Sequence, residues 1–210
     1  MGAVSCHQDR PRRLGCCPLK SATARWAWAS VQNRQLASTR ETLFRCFRRD
    51  DGLWDIEGEL RDYKQEPFSV RNGRVWQAGE FIHHMLIRVT IDEAMCVQAI
   101  EAVMEARPHG ICTEALAAMQ RMVGCTMARG WRKAIDQHLG KIEGCTHMRE
   151  LLFNMATAAF QGLENIRQAS APDVPPPYLG TCKTWDVSGP VVEQVFPLFY
   201  RPAAGPARER

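Results

Sequence analysis

Phe81-Ile82-His83-His84-Met85-Leu86-Ile87-Arg88-Val89-Thr90-Ile91-Asp92 is the stretch whose reading decides the fold. Its second half is rich in β-branched residues, which suit a pleated, half-buried surface. Side chains along a strand alternate between faces. His83 and Met85 therefore share one face with Ile87, Val89 and Ile91, and His84 points with Leu86, Arg88 and Thr90. Such a strand needs partners, and the sequence just upstream offers two. Glu41 to Arg48, with Leu43, Phe44, Cys46 and Phe47, carries enough aromatic and apolar residues for a strand. Arg49-Asp50-Asp51-Gly52 reads as a turn, the glycine supplying a positive φ. Leu53 to Asp62 then alternates Trp54, Ile56 and Leu60 with acids, the pattern of a half-buried strand closing a hairpin. Asp55, Glu57 and Glu59 fall on its other face, and period-two alternation alone makes them a solvated row rather than paired catalytic carboxylates.

Downstream the signal turns helical. Residues 93–107 are ambiguous: Ala, Met, Glu and Gln favour a helix, while Val97, Ala99 and Val103 suit a return strand. Pro108-His109-Gly110 ends that element. Cys112 to Val123 reads as a short helix capped by Thr113, with Leu116, Met119, Met122 and Val123 on one stripe. Gly130 to Leu139 reads as a second, with Trp131, Ile135 and Leu139 at four-residue spacing and Gly140 as its C-cap. From Thr146 a long helix runs to about Gln168, its apolar stripe made of Met148, Leu151, Leu152, Met155, Ala159 and Leu163. The fold class expected is α+β: a small antiparallel sheet, the hairpin plus one or two further strands, packed against three helices in a single domain.

The chain has 210 residues, 45% hydrophobic and 24% charged, enough for one domain with a real core. The net charge of +4 is carried by the ends. Residues 1–40 hold seven basic residues against Asp9, and 41–200 hold 17 basic and 21 acidic residues. A mildly acidic domain argues against nucleic acid as a partner. No run approaches the roughly 20 apolar residues of a membrane span. Residues 1–38 read as a disordered basic extension, 39–169 as the folded domain, 170–200 as a Pro-rich linker with an extended segment packing back, and 201–210 as a disordered tail. Cys6 stands where a myristoylation motif wants Ser or Thr, so Gly2 is not read as an acylation site. Without a secretory signal, the nine scattered cysteines read as reduced thiols of a cytoplasmic protein.

Chemistry concentrates at Gly144-Cys145-Thr146-His147, a thiol and an imidazole at a helix start. Exposed N–H groups and the macrodipole favour a thiolate there. With His83, Cys112 and Cys125 they form the candidate metal ligands: His83, Cys112, Cys125, Cys145 and His147. Mixed thiolate and imidazole ligation suits zinc or iron, and three protein ligands would leave a position open for a small-molecule substrate. Asp92 or Glu80 would then serve as base or as a group orienting a ligand. The alternatives are a metal-free enzyme with Cys145 as nucleophile and His83 or His147 as base, or a non-catalytic binding module with a buried Cys/His cluster. In the metal-free case His83 is the better partner, because helix neighbours two apart do not face each other.

Three stretches, Arg49-Asp50-Asp51-Gly52-Leu53-Trp54-Asp55-Ile56-Glu57-Gly58, Ala78-Gly79-Glu80-Phe81-Ile82-His83-His84-Met85 and Gly144-Cys145-Thr146-His147-Met148-Arg149-Glu150-Leu151, together resemble a bacterial, mainly proteobacterial, family of domains of unknown function. The resemblance spans residues 39–200. That family has Asp where His84 stands, so the resemblance favours His83 as the site residue. The order of a ligand before a strand, a cysteine after the strand pair and a cysteine opening a late helix also resembles iron–sulfur scaffold proteins of the NifU N-terminal type. It implies that His83, Cys112 or Cys125, and Cys145 or His147 approach one another, and it favours a strand for residues 96–104. His83 stands where that scaffold has its first ligand cysteine.

Overall fold

The computed structural model describes residues 33–70 and 73–203. The expected basic extension and C-terminal tail lie almost wholly outside the described residues. The compact unit runs from Leu36.

The hairpin forms where alternation placed it, from β1 (Ser38–Arg48) to β2 (Trp54–Lys64). Its turn is held by Arg49 N–H donating to the Leu53 carbonyl at 2.9 Å, with Gly52 at φ 84°. A two-stranded ribbon, β3 (Phe68–Ser69) with β4 (Val75–Trp76), follows, its Phe68 stacked on Trp76 at 5.1 Å. Then come β5 (Phe81–Ile91) and β6 (Val97–Ala106). The main sheet is antiparallel with order β1-β2-β5-β6. β6 settles the ambiguous segment in favour of a strand. Its helix propensity, worth a few tenths of a kcal/mol per residue, yields to a full ladder against β5 and to burial of Val97, Ile100 and Met104. Asp92 makes the reversal: its carboxylate accepts the Cys96 N–H and the Gln98 amide, both at 2.9 Å.

The expected helix over 112–123 is not one continuous helix. A 3₁₀ turn (Gly110–Glu114), one α-turn α1 (Ala115–Ala118) and another 3₁₀ turn (Met119–Met122) follow each other. Met119 and Met122 are buried as the stripe required, but Val123 is exposed because the chain has left the helical period by then. Thr113 lies inside the first turn, its hydroxyl donating to the Gly110 carbonyl, and does not cap. α2 (Trp131–Leu139) and α3 (Thr146–Ser170) match the periodic stripes. Gly140 is extended at φ −73°, not left-handed. After α3 the chain turns back so that Tyr178 meets Phe160 edge-on. Where an extended segment was expected, Pro190–Val195 form a short helix, α4, with Pro190 in its first turn and Val192 buried.

The core lies between the sheet and α1–α3. Ile56, Leu60, Met85, Ile87, Val89 and Ile91 face Ile135, Leu151, Leu152 and Met155. Two glycines let α3 come close. A Cβ on Gly58 of β2 would meet the Met155 sulfur at 2.9 Å, and one on Gly162 of α3 would collide with the Cys46 sulfur of β1. Trp131 ties α2 to α3 by donating its buried indole N–H to the Leu152 carbonyl at 2.7 Å. This close seating brings the start of α3 over the end of β2 and the beginning of β5.

Candidate functional site

Register places the first two site residues. Antiparallel pairing of β2 with β5 sets Asp62 opposite His83, at a bulge where the ladder slips between Asp62 and Tyr63. Both belong to the helix-covered face, and their side chains are only 11% and 13% exposed. One Asp62 oxygen, Oδ1, accepts the His83 backbone N–H at 3.0 Å and lies 2.8 Å from His83 Nδ1. The other, Oδ2, accepts Arg40 Nη2 at 2.7 Å and Nε at 3.2 Å, because β1 pairs Arg40 opposite Asp62. Arg40 also reaches Glu150 on α3 at 3.2 Å.

The third residue comes from α3. Cys145 precedes the helix, and its carbonyl accepts the Arg149 N–H at 3.0 Å, which makes it the residue at the cap position. Thr146 is the first helical residue, as the sequence places the helix start. His147 in the first turn lies against His83, ring centroids 4.0 Å apart. One ligand atom from each of Asp62, His83 and His147 can be chosen so that all three lie within 4.8 Å of one another. Cys145 Sγ approaches the same group, 3.7 Å from His147 Nδ1.

The charges of the cluster are set by its surroundings. Burial lowers the His147 pKa below the ordinary 6.5, and the neighbouring His83 and Arg40 add to the shift, so His147 is neutral at pH 7. Burial alone would raise the Asp62 carboxyl, but the hydrogen bonds from Arg40 and His83 outweigh it and hold the group below 3.8 as a carboxylate. At neutral pH the site therefore offers one carboxylate and at least one neutral imidazole.

The residues singled out from sequence divide clearly. His83 and His147 come together, with Cys145 beside them. Cys112 sits in the 3₁₀ turn over 110–114, packed against the core. Cys125 lies in the turn paired with Val97, its thiol directed at the Arg121 carbonyl at 3.9 Å and its pKa raised by burial. Among the described residues neither belongs to the three-residue group. Asp92 is at the opposite end of β5, about 30 Å along the strand from His83, where it makes the hairpin turn. Glu80 receives the Gln77 N–H at 2.8 Å and pairs with Arg74. His84 points to the other face of the sheet, 2.9 Å from Glu59.

Asp62 and Arg40 were not singled out from sequence, yet one signal for Asp62 was present. In the alternation that buries Trp54, Ile56 and Leu60, position 62 falls on the apolar face, so Asp62 is an acid among core positions. The other acids of β2, Asp55, Glu57 and Glu59, hold the opposite face, where Glu57 pairs with Arg88 and Asp55 accepts the Thr90 hydroxyl.

A family model described as a protein of unknown function, DUF2889, matches residues 38–161. The chain belongs to this family. The matched span takes in Arg40, Asp62, His83, Cys145 and His147, and so the whole cluster together with the sheet. No curated protein and no solved structure matches the chain.

Proposed function

We propose that this DUF2889 protein binds one transition-metal ion, zinc or iron(II), through Asp62, His83 and His147, and presents it to a small-molecule substrate. The observation that carries the reading is the convergence of a carboxylate and two imidazoles from β2, β5 and α3. Two histidines with one carboxylate are a donor set used for zinc and for non-haem iron. The residues fit such an ion. Two donor atoms about 2.0–2.1 Å from one ion stand roughly 3.3 Å apart; Asp62 Oδ1 and His83 Nδ1, now hydrogen-bonded at 2.8 Å, would give up the proton between them and separate slightly to share one. The His147 ligand atom lies within 4.8 Å of the other two and would have to draw closer around an ion. His147 is already neutral, so ligation there needs no proton release.

The remaining residues have defined tasks in this reading. Arg40, itself paired with Glu150, would orient Asp62 from outside and would compete with the ion for the same carboxylate. A bound ion with three protein ligands would act as a Lewis acid on a substrate oxygen or on water. Cys145, 3.7 Å from His147, would serve as a fourth ligand or as a group contacting substrate. That same contact supports the second reading, a metal-free thiol–imidazole pair in which neutral His147 accepts the Cys145 proton.

The test is elemental analysis of protein purified without chelator and without oxygen, followed by thermal unfolding with added Zn²⁺ or Fe²⁺. The expected result is about one ion per chain, lost in His147→Ala. Metal at 1,000 times its dissociation constant adds about 4 kcal/mol, or roughly 8–16 °C for a chain of this size. A folded, metal-free protein whose unfolding does not respond to either ion would overturn the proposal and leave the thiol–imidazole pair.

A further inference from the structure

The two edges of the main sheet differ. At β6 the start of the strand is covered: the Val97 N–H donates to the Cys125 carbonyl at 2.9 Å and the Gly124 N–H donates to the Val97 carbonyl at 2.8 Å. Further along, the Gln120 amide donates to the Ile100 carbonyl at 2.8 Å. β1 forms the other edge, and among the described residues no hydrogen bond reaches its outer main-chain groups. It is 11 residues long, holds no proline and pairs with β2 without a bulge. The Arg49 N–H and the Ala37 carbonyl, at its two ends, both bond across to the β2 side. Alternation therefore turns the odd-numbered residues of β1 toward β2. It leaves the N–H and C=O of Arg40, Thr42, Phe44 and Cys46 directed out of the sheet. Leu43 and Phe47 flank this open ladder on the face away from α3, 46% and 45% exposed. A long, flat edge with apolar side chains is a template for another strand.

The charges of β1 select the occupant. Two copies of one strand pair antiparallel about a two-fold axis, with side chains directly opposite sharing a face, so the axis passes through a residue. An axis at Leu43 overlaps the strands along their whole length, Ser38 opposite the partner's Arg48. It sets Glu41 opposite the partner's Arg45, twice by symmetry, and Leu43 against its own copy. Both contacts fall at non-hydrogen-bonded positions, where opposed side chains come closest. Neighbouring axes do worse. One at Phe44 opposes Arg40 and Arg48, one at Arg45 or Glu41 opposes that charge to itself, and one at Thr42 leaves both charges unmatched. Like charges directly opposite are destabilising. Arg45 is free to turn outward, because it is 48% exposed and its contact with Glu59 is a loose 3.8 Å. We infer that β1 pairs antiparallel with β1 of a second copy of this chain, centred on Leu43, to continue the sheet across a dimer. The inference does not rest on the metal reading.

Sedimentation equilibrium of the full chain at micromolar concentration, after treatment with chelator, tests the inference. The expected mass is twice that of the 23.8 kDa chain. Glu41→Arg and Arg45→Glu each place like charges across the axis, and each should weaken the dimer at least tenfold. An equimolar mixture of the two variants restores both ion pairs in a heterodimer, and should regain the wild-type mass. Because the mixture contains the same two proteins, its recovery separates a lost interface from a damaged fold. The double variant Glu41→Arg/Arg45→Glu restores the pairs within one chain and should dimerise like wild type. A monomeric wild type would overturn the inference and leave the edge to residues 1–32 or to a different protein. Single variants that dimerise like wild type, or a mixture no more dimeric than its components, would overturn it as well.

Discussion

Asp62→Asn keeps the shape of the side chain and removes its charge, so it isolates what the carboxylate does in the fold. Asp62 receives four contacts: the His83 backbone N–H at 3.0 Å, His83 Nδ1 at 2.8 Å, and Arg40 Nη2 and Nε at 2.7 and 3.2 Å. An amide has one accepting oxygen. If it serves His83, the amide N–H groups face the Arg40 donors; if it serves Arg40, they face His83. One side is lost either way. Hydrogen bonds to a charged group contribute roughly 1.5–3 kcal/mol each. Arg40 is 43% exposed, which reduces its share to about 1 kcal/mol. The weakened, nearly buried His83 contact adds about as much again, so the loss is about 2 kcal/mol. With a urea dependence near 2 kcal/mol per molar, that moves the unfolding midpoint down by about 1 M. The assay is urea unfolding followed by tryptophan fluorescence, on chelator-treated protein at pH 7. Its pH dependence gives a second check. A carboxyl held below 3.8 in the fold contributes stability that is full above 3.8 and disappears as pH falls through its folded value. The difference between wild type and variant should therefore shrink in acid. A midpoint within 0.2 M of wild type at pH 7, or a difference that persists unchanged in acid, would refute the placement of Asp62 at the centre of this network.

His147 works in the same direction at higher pH. Because its folded pKa lies below 6.5, the unfolded chain takes up the proton first, and stability falls as pH drops below 6.5; urea midpoints of His147→Gln between pH 7.5 and 5.5 should fall less than those of wild type. Gly58→Val drives two methyl groups toward the Met155 sulfur where a Cβ alone already comes within 2.9 Å. Its expected cost of about 1–3 kcal/mol is read as a lowered melting temperature, and an unchanged one would mean that α3 is not seated as closely as described. Cys112→Ser and Cys125→Ser should retain the metal content of wild type, because neither thiol belongs to the three-residue group; loss of metal in either variant, with folding intact, would move the site.

The elements whose character is local were legible in the sequence. Alternation around Trp54, Ile56 and Leu60 and around Met85, Ile87 and Val89 gives β2 and β5 and the faces they bury. Four-residue spacing gives α2 and α3. β6 was legible only as an ambiguity, because pairing with β5 rather than propensity decides it. The chain over 110–122 departs from a continuous helix, since neither Thr113 nor its neighbours supply a cap and the turn tightens repeatedly to 3₁₀.

For the site, the sequence by itself determined which chemistry was present: His83 on the buried face of a strand, His147 in the first turn of a long helix, and Cys145 just before it. Only the tertiary structure decided which of these groups meet. The antiparallel register that sets Asp62 opposite His83 joins residues 21 apart. The descent of α3 onto Gly58 accompanies the seating of His147 against His83, 4.0 Å away. Neither separation leaves a trace in local periodicity, which reports how one element faces the core and not where along it another element crosses. Cys112 and Cys125 carried equally good ligand chemistry, and the fold left them elsewhere because their turns pack against other parts of the core.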